Sequence, residues 1–248
     1  MSRLIFNGGD FVHNNTIALV ADRILPLFSL KGRTAIVTGA ALGISHAVVQ
    51  ALAESGANVA FTYNSNKDKS IEGAKVIEKT YKVQCRAYKL DVTAELDIKE
   101  IINQIVREFN GRLDVFAAEG TTTGGHNLAG FKQGSFIATA SMCRHVVNIP
   151  LKQAPYNASK AAVIHLCKSL AVEWVGFTRY NTVSLGYVAL EVMHQVLEEL
   201  LTHFKNKTPM GRLALLEEMK GAYLYLASNA SSFATGTDII VDGGYLVT

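Results

Sequence analysis

Tyr156 and Lys160 stand four residues apart in Tyr-Asn-Ala-Ser-Lys, at the start of a largely apolar run from Pro155 to Trp174. Residues at that interval share one face of a helix, so the phenol and the ammonium can reach the same point. A phenol has a pKa of about 10, and bringing it to ~7 takes roughly 4 kcal/mol. A positive charge at ~4 Å supplies about that much at an effective dielectric near ~20. The pair can therefore give a proton to a carbonyl oxygen or take one from an alcohol. The spacing alone also describes an ordinary surface pair on any long helix, so the rest of the chain has to decide. A second stretch with chemical use is Thr38-Gly39-Ala-Ala-Leu42-Gly43-Ile44-Ser45. Glycines let a backbone approach a pyrophosphate, and a helix starting there offers free N–H groups and the positive end of its dipole. A plain tight turn would use the same residues.

The elements that must position these groups alternate between strand and helix, the pattern of a parallel sheet with helices on both faces. Thr34 to Thr38 reads as the first strand, followed by a helix from about Gly43 to Ser55 and a second strand from Asn58 to Tyr63. A helix over Asp68 to Thr80 leads to a third strand, Gln84 to Leu90. Ile98, Ile101, Ile102, Ile105, Val106 and Phe109 then form a stripe of helical period. Leu113 to Ala117 and Ser135 to Ala140 are the fourth and fifth strands. The Tyr156 helix follows, with Pro155 in its first turn, where a missing N–H costs nothing. A sixth strand near Tyr180 to Ser184, a helical region to about Lys207, a helix from about Leu215 to Ser228 and a last strand, Asp238 to Val241, complete the pattern. The expected fold is a Rossmann-type doubly wound α/β sheet in one domain, residues 31–248, with residues 1–30 as an arm against it.

Between the fourth and fifth strands the rhythm breaks. The linker from Glu119 to Gly134 holds five glycines and three threonines, poor helix formers. It is barely long enough for a parallel crossover, which needs about a dozen residues. At most a turn or two around Asn127 to Lys132 is expected, leaving the sheet face there thinly covered.

Composition excludes several classes. A net charge of +3 over 248 residues, with no basic cluster interleaved with aromatics, gives no reason to expect nucleic acid as a partner. No stretch approaches ~18 uninterrupted apolar residues, so no membrane span is expected. Ile17 to Phe28 contains Asp22, Arg23 and Pro26 and does not read as a secretory signal. Cys85, Cys143 and Cys167 are odd in number and lack metal-ligand spacing, which predicts a reducing, cytoplasmic setting and no metal site.

Thr38-Gly39 with Gly43-Ile44, Leu90-Asp91-Val92, Ser141, Tyr156 with Lys160, Gly186 and Val241-Asp-Gly-Gly244 occur in an order that resembles the short-chain dehydrogenase/reductase family, from about Leu30 to the C-terminus. Phe28 to Gly39, His165 to Trp174 and Ala222 to Ser228 look like its fungal NADP-dependent mannitol dehydrogenase and sorbose reductase branch. The resemblance implies hydride transfer between a nicotinamide and the carbon of a carbonyl or secondary alcohol, in a polyol/ketose or other small carbonyl compound. Tyr156 would be the acid/base, Lys160 would lower its pKa and hold the nicotinamide ribose, and Ser141 would bind the substrate oxygen. Cys143 is a rival to Ser141, set aside because Ser141 directly follows the fifth strand. The cofactor would lie on Thr38, Gly39, Leu42, Gly43, Ile44, Asn64, Ser65, Asp91, Val92, Tyr156, Lys160, Gly186 and Val188. Asp91 would face the adenine, although an N-terminal helix cap would look the same. No carboxylate stands between Thr62 and Lys67 to hold a ribose 2′-hydroxyl, and Lys67 suits a 2′-phosphate, so NADP is expected. The apolar Tyr156 helix implies cover on several sides, and relatives bury such a surface in dimers or tetramers.

Several positions depart from the family pattern. Ser45 stands for the last glycine of the first turn, Ala117-Ala118-Glu119 for an asparagine-bearing stretch, Leu185 for a proline, and Ala189-Leu190 for a threonine near the nicotinamide. Relatives place a long helix, carrying a proton-relay asparagine and part of a dimer interface, where the linker is. Sequence resumes in register at Phe131 to Ser141, as a lost exon or a mis-joined gene leaves it. Two further readings follow: a member without useful catalysis that binds nucleotide or a partner, and a tailoring reductase of a fungal biosynthetic pathway. Residues 187–208 would form a substrate lid; Val188, Val192, Val196, Leu197 and Leu200 recur at helical spacing, which favours core.

Overall fold

The structure, a computed structural model, describes residues 6–7, 10–11, 18–19, 21–119, 134–191 and 197–247. Seven parallel strands form one sheet: β1 (Thr34–Val37), β2 (Asn58–Tyr63), β3 (Cys85–Lys89), β4 (Val115–Glu119), β5 (Gly134–Ser141), β6 (Thr178–Leu185) and β7 (Asp238–Val241). Their spatial order is β3-β2-β1-β4-β5-β6-β7. The order reverses between β1 and β4, the switch point at which such sheets open a crevice beyond their carboxyl ends. In the N-terminal segment Phe6–Asn7 pairs antiparallel with Asp10–Phe11.

Strand alternation divides the core in two. Ala35, Val37, Val115, Ala117 and Ile137 pack with α1 (Gly43–Glu54), α2 (Lys67–Tyr81) and α6 (Leu216–Ala227). Ile36, Phe116, Ala118, Phe136, Ala138 and Ala140 face α3 (Glu95–Glu108) and α4 (Ala154–Glu173) on the other side. Strands covered on both faces read as continuous apolar runs because each residue is buried whichever way it points. All eight residues of β5 are buried. α5 (Glu198–Lys207) lies outside this double layer and precedes the segment leading into α6.

The region around the linker corrects one expectation. β4 and β5 pair directly, Val115 with Ser135 through Glu119 with Thr139, and the sheet face there is closed, not thinly covered. Phe136 stacks on Phe116 at 5.0 Å between centroids and on Tyr180 at 4.5 Å, with Trp174 edge-on at 6.1 Å. These rings lie in one buried layer with Ile105 of α3 and Val163, Ile164 and Cys167 of α4. The expected turn at 127–132 lies outside the described residues, as do Val192 and Val196.

Two further differences have physical reasons. β4 runs two residues later than the apolar run Leu113 to Ala117 suggests. The Asp114 N–H donates to the Thr34 carbonyl, but the Thr34 N–H donates to the Asp114 carboxylate at 2.9 Å, so regular pairing starts only at Val115. Leu197, assigned to the core by its spacing, is 75% exposed because it caps the start of α5, while Val188 is buried.

Candidate active site

Because all seven strands run the same way, the residues that follow them gather at one edge of the sheet. Thr38 follows β1, Asn64 follows β2, Asp91 stands just beyond β3, Ser141 ends β5, Gly186 follows β6 and Asp242 follows β7. Residues more than a hundred positions apart are thus brought together by strand pairing.

The Tyr156–Lys160 pair comes to this edge where α4 returns across β5. Pro155 lies in the first turn of α4, and Tyr156 and Lys160 follow on one face. Lys160 is buried, and its Nζ lies 5.7 Å from the centroid of the Tyr156 ring. That ammonium donates to the Thr139 carbonyl at 2.9 Å, which ties α4 to the strand carrying Ser141. Tyr156 itself is 44% exposed, open to a ligand from the solvent side. Ser141 is buried at the start of a 3-10 turn, Met142–Arg144, and its Oγ accepts from the Cys143 N–H at 3.2 Å. The Cys143 Sγ accepts from Gln153 Nε2 at 3.3 Å. Behind this turn Arg144 pairs with Asp238 at 2.7 Å, while Asp238 also accepts from the hydroxyls of Thr182 and Ser184. A charge pair this deep needs those extra bonds to offset its desolvation.

The glycine turn fits a dinucleotide pyrophosphate. Gly39 and Gly43 have φ of +63° and +68°, which side-chain-bearing residues rarely adopt. α1 starts at Gly43 with no side-chain cap and no acidic residue in its first turn, so the positive end of its dipole suits an anion. Thr62, unremarked in the sequence reading, fixes the turn: its Oγ1 accepts from Gly39 N–H at 3.2 Å and its carbonyl from Ala40 N–H at 2.8 Å. Leu42 is exposed, and Ile44 is partly buried against the core.

Farther along the edge, Asn64, Ser65, Asn66 and Lys67 are all exposed. Lys89, beside Tyr63 in the β2–β3 register, donates to the Asn64 carbonyl and, at 2.6 Å, to Asn64 Oδ1. The sequence reading missed this cation because it comes from the neighbouring strand, not from the turn itself. Asp91 does not cap α3, whose N-cap is Ala94. Its carboxylate accepts from the Thr93 N–H and hydroxyl, and these bonds hold it below the usual carboxylate range. Val92 beside it is exposed. Val188 buries its side chain and bridges Ala214, with Ala189 N–H and Tyr187 C=O making the bonds. In a parallel bridge the central residue's own N–H and C=O then point the other way.

Comparison with known proteins agrees with this arrangement. The family model "short chain dehydrogenase" matches residues 33–134, and the model "Enoyl-(Acyl carrier protein) reductase" matches residues 126–246. The L-xylulose reductase of Hypocrea jecorina is 49% identical, covering 96% of this chain and 98% of that protein. The chain belongs to the short-chain dehydrogenase/reductase family. A probable NADP-dependent mannitol dehydrogenase of Yarrowia lipolytica is 42% identical over 91% of this chain and 92% of its own. Among solved structures, the NADPH-dependent 3-quinuclidinone reductase from Rhodotorula rubra superposes with a TM-score of 0.84 at 33% identity, covering 94% of this chain and 98% of that one. The Hypocrea alignment extends over 283 residues although this chain has 248, so that relative carries residues with no counterpart here. The two family models also change over at the linker.

Two of the departures of this short-chain dehydrogenase/reductase, Ser45 and Leu190, have surroundings that the structure describes. Ser45 is buried in the first turn of α1. Leu190 comes against the glycine turn, its Cδ2 lying 3.7 Å from where a Gly43 Cβ would stand. Gly186 is fixed by crowding: a Cβ there would fall 2.7 Å from the Asp242 Cα, and its N–H donates to the Val241 carbonyl. Gly186→Ala is therefore expected to lower stability by about 1–3 kcal/mol. An unchanged urea-unfolding midpoint would show that β6 and the Asp242 turn separate freely.

Proposed function

We propose that this chain is an NADP-dependent oxidoreductase that interconverts a ketose or other small carbonyl compound with its alcohol. The observation that carries the reading is the buried Lys160 ammonium held against both the Tyr156 ring and the Thr139 carbonyl. The names of the relatives, an L-xylulose reductase and a probable NADP-dependent mannitol dehydrogenase, point to polyols and ketoses as the substrate class. Bound NADPH supplies the hydride that reaches the carbonyl carbon. Tyr156 gives its phenolic proton to the carbonyl oxygen during reduction and takes it back in the reverse direction. Lys160 favours the phenolate by its charge. Ser141 donates its O–H to the same oxygen while its Oγ accepts from the Cys143 N–H.

The cofactor would run from the glycine turn, with Thr38, Gly39, Leu42, Gly43 and Ile44 at the pyrophosphate. Asp91 and Val92 would border the adenine, and Lys160, Gly186 and the Val188 backbone the nicotinamide half. Asn64 and Ser65 would meet the 2′-phosphate, with Lys89 adding charge that the sequence reading gave to Lys67. The unpaired, buried state of Cys85, Cys143 and Cys167 supports a cytoplasmic setting, and no described helix is long and apolar enough to cross a membrane. α4 leaves Ala158, Ala161, Ala162 and Val172 exposed, a smooth surface that suits a homo-oligomer contact. Sedimentation of the purified chain as a monomer alone would remove that part of the reading.

Tyr156→Phe is expected to lower turnover by about 10²–10⁴-fold while NADPH binding, followed by nicotinamide fluorescence, stays within about twofold. Retained turnover would refute the acid/base role. For the cofactor, calorimetry with 2′,5′-ADP and 5′-AMP separates the 2′-phosphate from the rest. Lys89→Ala should weaken 2′,5′-ADP roughly fivefold and leave 5′-AMP unchanged. Equal effects on the two nucleotides would take Lys89 out of the site.

A further inference from the structure

Seven residues after Ser141 and eight before Tyr156 stands Asn148, on the segment that joins the two. Its side chain is buried at 1% exposure, its Nδ2 donates to the Tyr187 hydroxyl at 3.0 Å, and its Oδ1 has no hydrogen-bond partner. Native structures leave few buried polar atoms unmet, and those that persist commonly face water or a ligand.

The surroundings hold this amide still. Tyr187, directly after Gly186, stacks on Phe204 of α5 at 3.9 Å between centroids and meets Tyr245 edge-on at 5.6 Å. A ring nitrogen of His203 contacts the Ile149 carbonyl at 2.8 Å, pinning α5 to the same segment. At the other end the segment is tied down by the Arg144–Asp238 pair and by Gln153 on Cys143. Asn148 therefore sits between the end of β5, the exit of β6 and α5, all at the edge of the sheet that carries Ser141 and Tyr156.

We propose that the Asn148 carbonyl oxygen accepts a hydrogen bond from a substrate hydroxyl next to the reacting carbonyl, and so makes the site selective for hydroxylated ketones. The proposal rests on the oxidoreductase reading above and deepens it to a substrate feature. A ketone without that hydroxyl leaves the buried acceptor unmet, and sites built to pair a substrate hydroxyl discriminate strongly against analogues that lack one. Tyr187 is a positioning residue: by taking the amide N–H it sets which atom faces the ligand.

The test compares 1-hydroxy-2-butanone with 2-butanone, two ketones that differ by that hydroxyl, through kcat/KM with NADPH. The unmodified chain should prefer the hydroxyketone. Asn148→Leu, close in size and without polar atoms, should lose about ten- to a hundredfold on the hydroxyketone and change little on 2-butanone. A preference unchanged in Asn148→Leu would overturn the proposal and assign Oδ1 to a buried water. So would the absence of any preference in the unmodified chain, a measurement that stands even where the variant fails to fold. Turnover of neither ketone, nor of any ketose, by the unmodified chain would instead remove the oxidoreductase reading beneath it.

Discussion

Direct pairing of β4 with β5 is the constraint on which this molecule depends. The register from Val115–Ser135 to Glu119–Thr139 carries the first half of the sheet into the second. Everything before it supplies the glycine turn and its neighbours, and everything after it supplies Ser141, Tyr156, Lys160 and Gly186. A slip of one residue would turn Phe136 and Ala138 to the opposite face and move Ser141 out of line with Leu185. The aromatic row Phe116–Phe136–Tyr180 opposes such a slip, because stacked rings match in one register only.

Within that frame the two halves of the candidate site are stiffened by different means. The glycine turn is held by backbone: its positive φ angles aim peptide groups outward, and Thr62 on the adjacent strand ties them down. The proton side is held by side chains, with Lys160 on Thr139, Cys143 behind Ser141, and Arg144 against Asp238. The difference suits the ligand parts each would meet. A pyrophosphate is bound by repeated backbone donors and helix dipole, whereas a carbonyl oxygen needs individually placed protons.

Much of this was legible in the sequence because the signals are local. Alternating apolar runs, the glycines after β1, Pro155 opening α4 and the Tyr156–Lys160 interval each depend on residues close in the chain. The misses depend on neighbours brought in by the fold. Lys89 reaches Asn64 across strands 25 residues apart in sequence, and Thr62 fixes a turn 23 residues before it. The helix-cap alternative for Asp91 failed because its carboxylate is used by Thr93 two residues on, which stops it from reaching α3. Leu197 has the spacing of a core residue but stands where α5 begins, and periodicity carries no information about where an element meets solvent.

The departures from the family pattern bear unequally on function, and the location of the supports decides which matter. Thr62 to the glycine turn, Lys160 to Thr139, Cys143 to Ser141 and Arg144 to Asp238 all join residues outside the stretch from 120 to 133. These bonds hold Ser141 and the start of α4, which carries Tyr156, from residues outside that stretch. Ser45 is absorbed in the first turn of α1. Leu190 is different in kind, since its Cδ2 stands against Gly43, the residue at which α1 opens toward an anion. An apolar branch at that point removes a hydroxyl that could bond a bound group and adds a surface that excludes water from the turn. Its effect would fall on how tightly a dinucleotide is held, apart from the Ser141 and Tyr156–Lys160 groups built on β5 and α4.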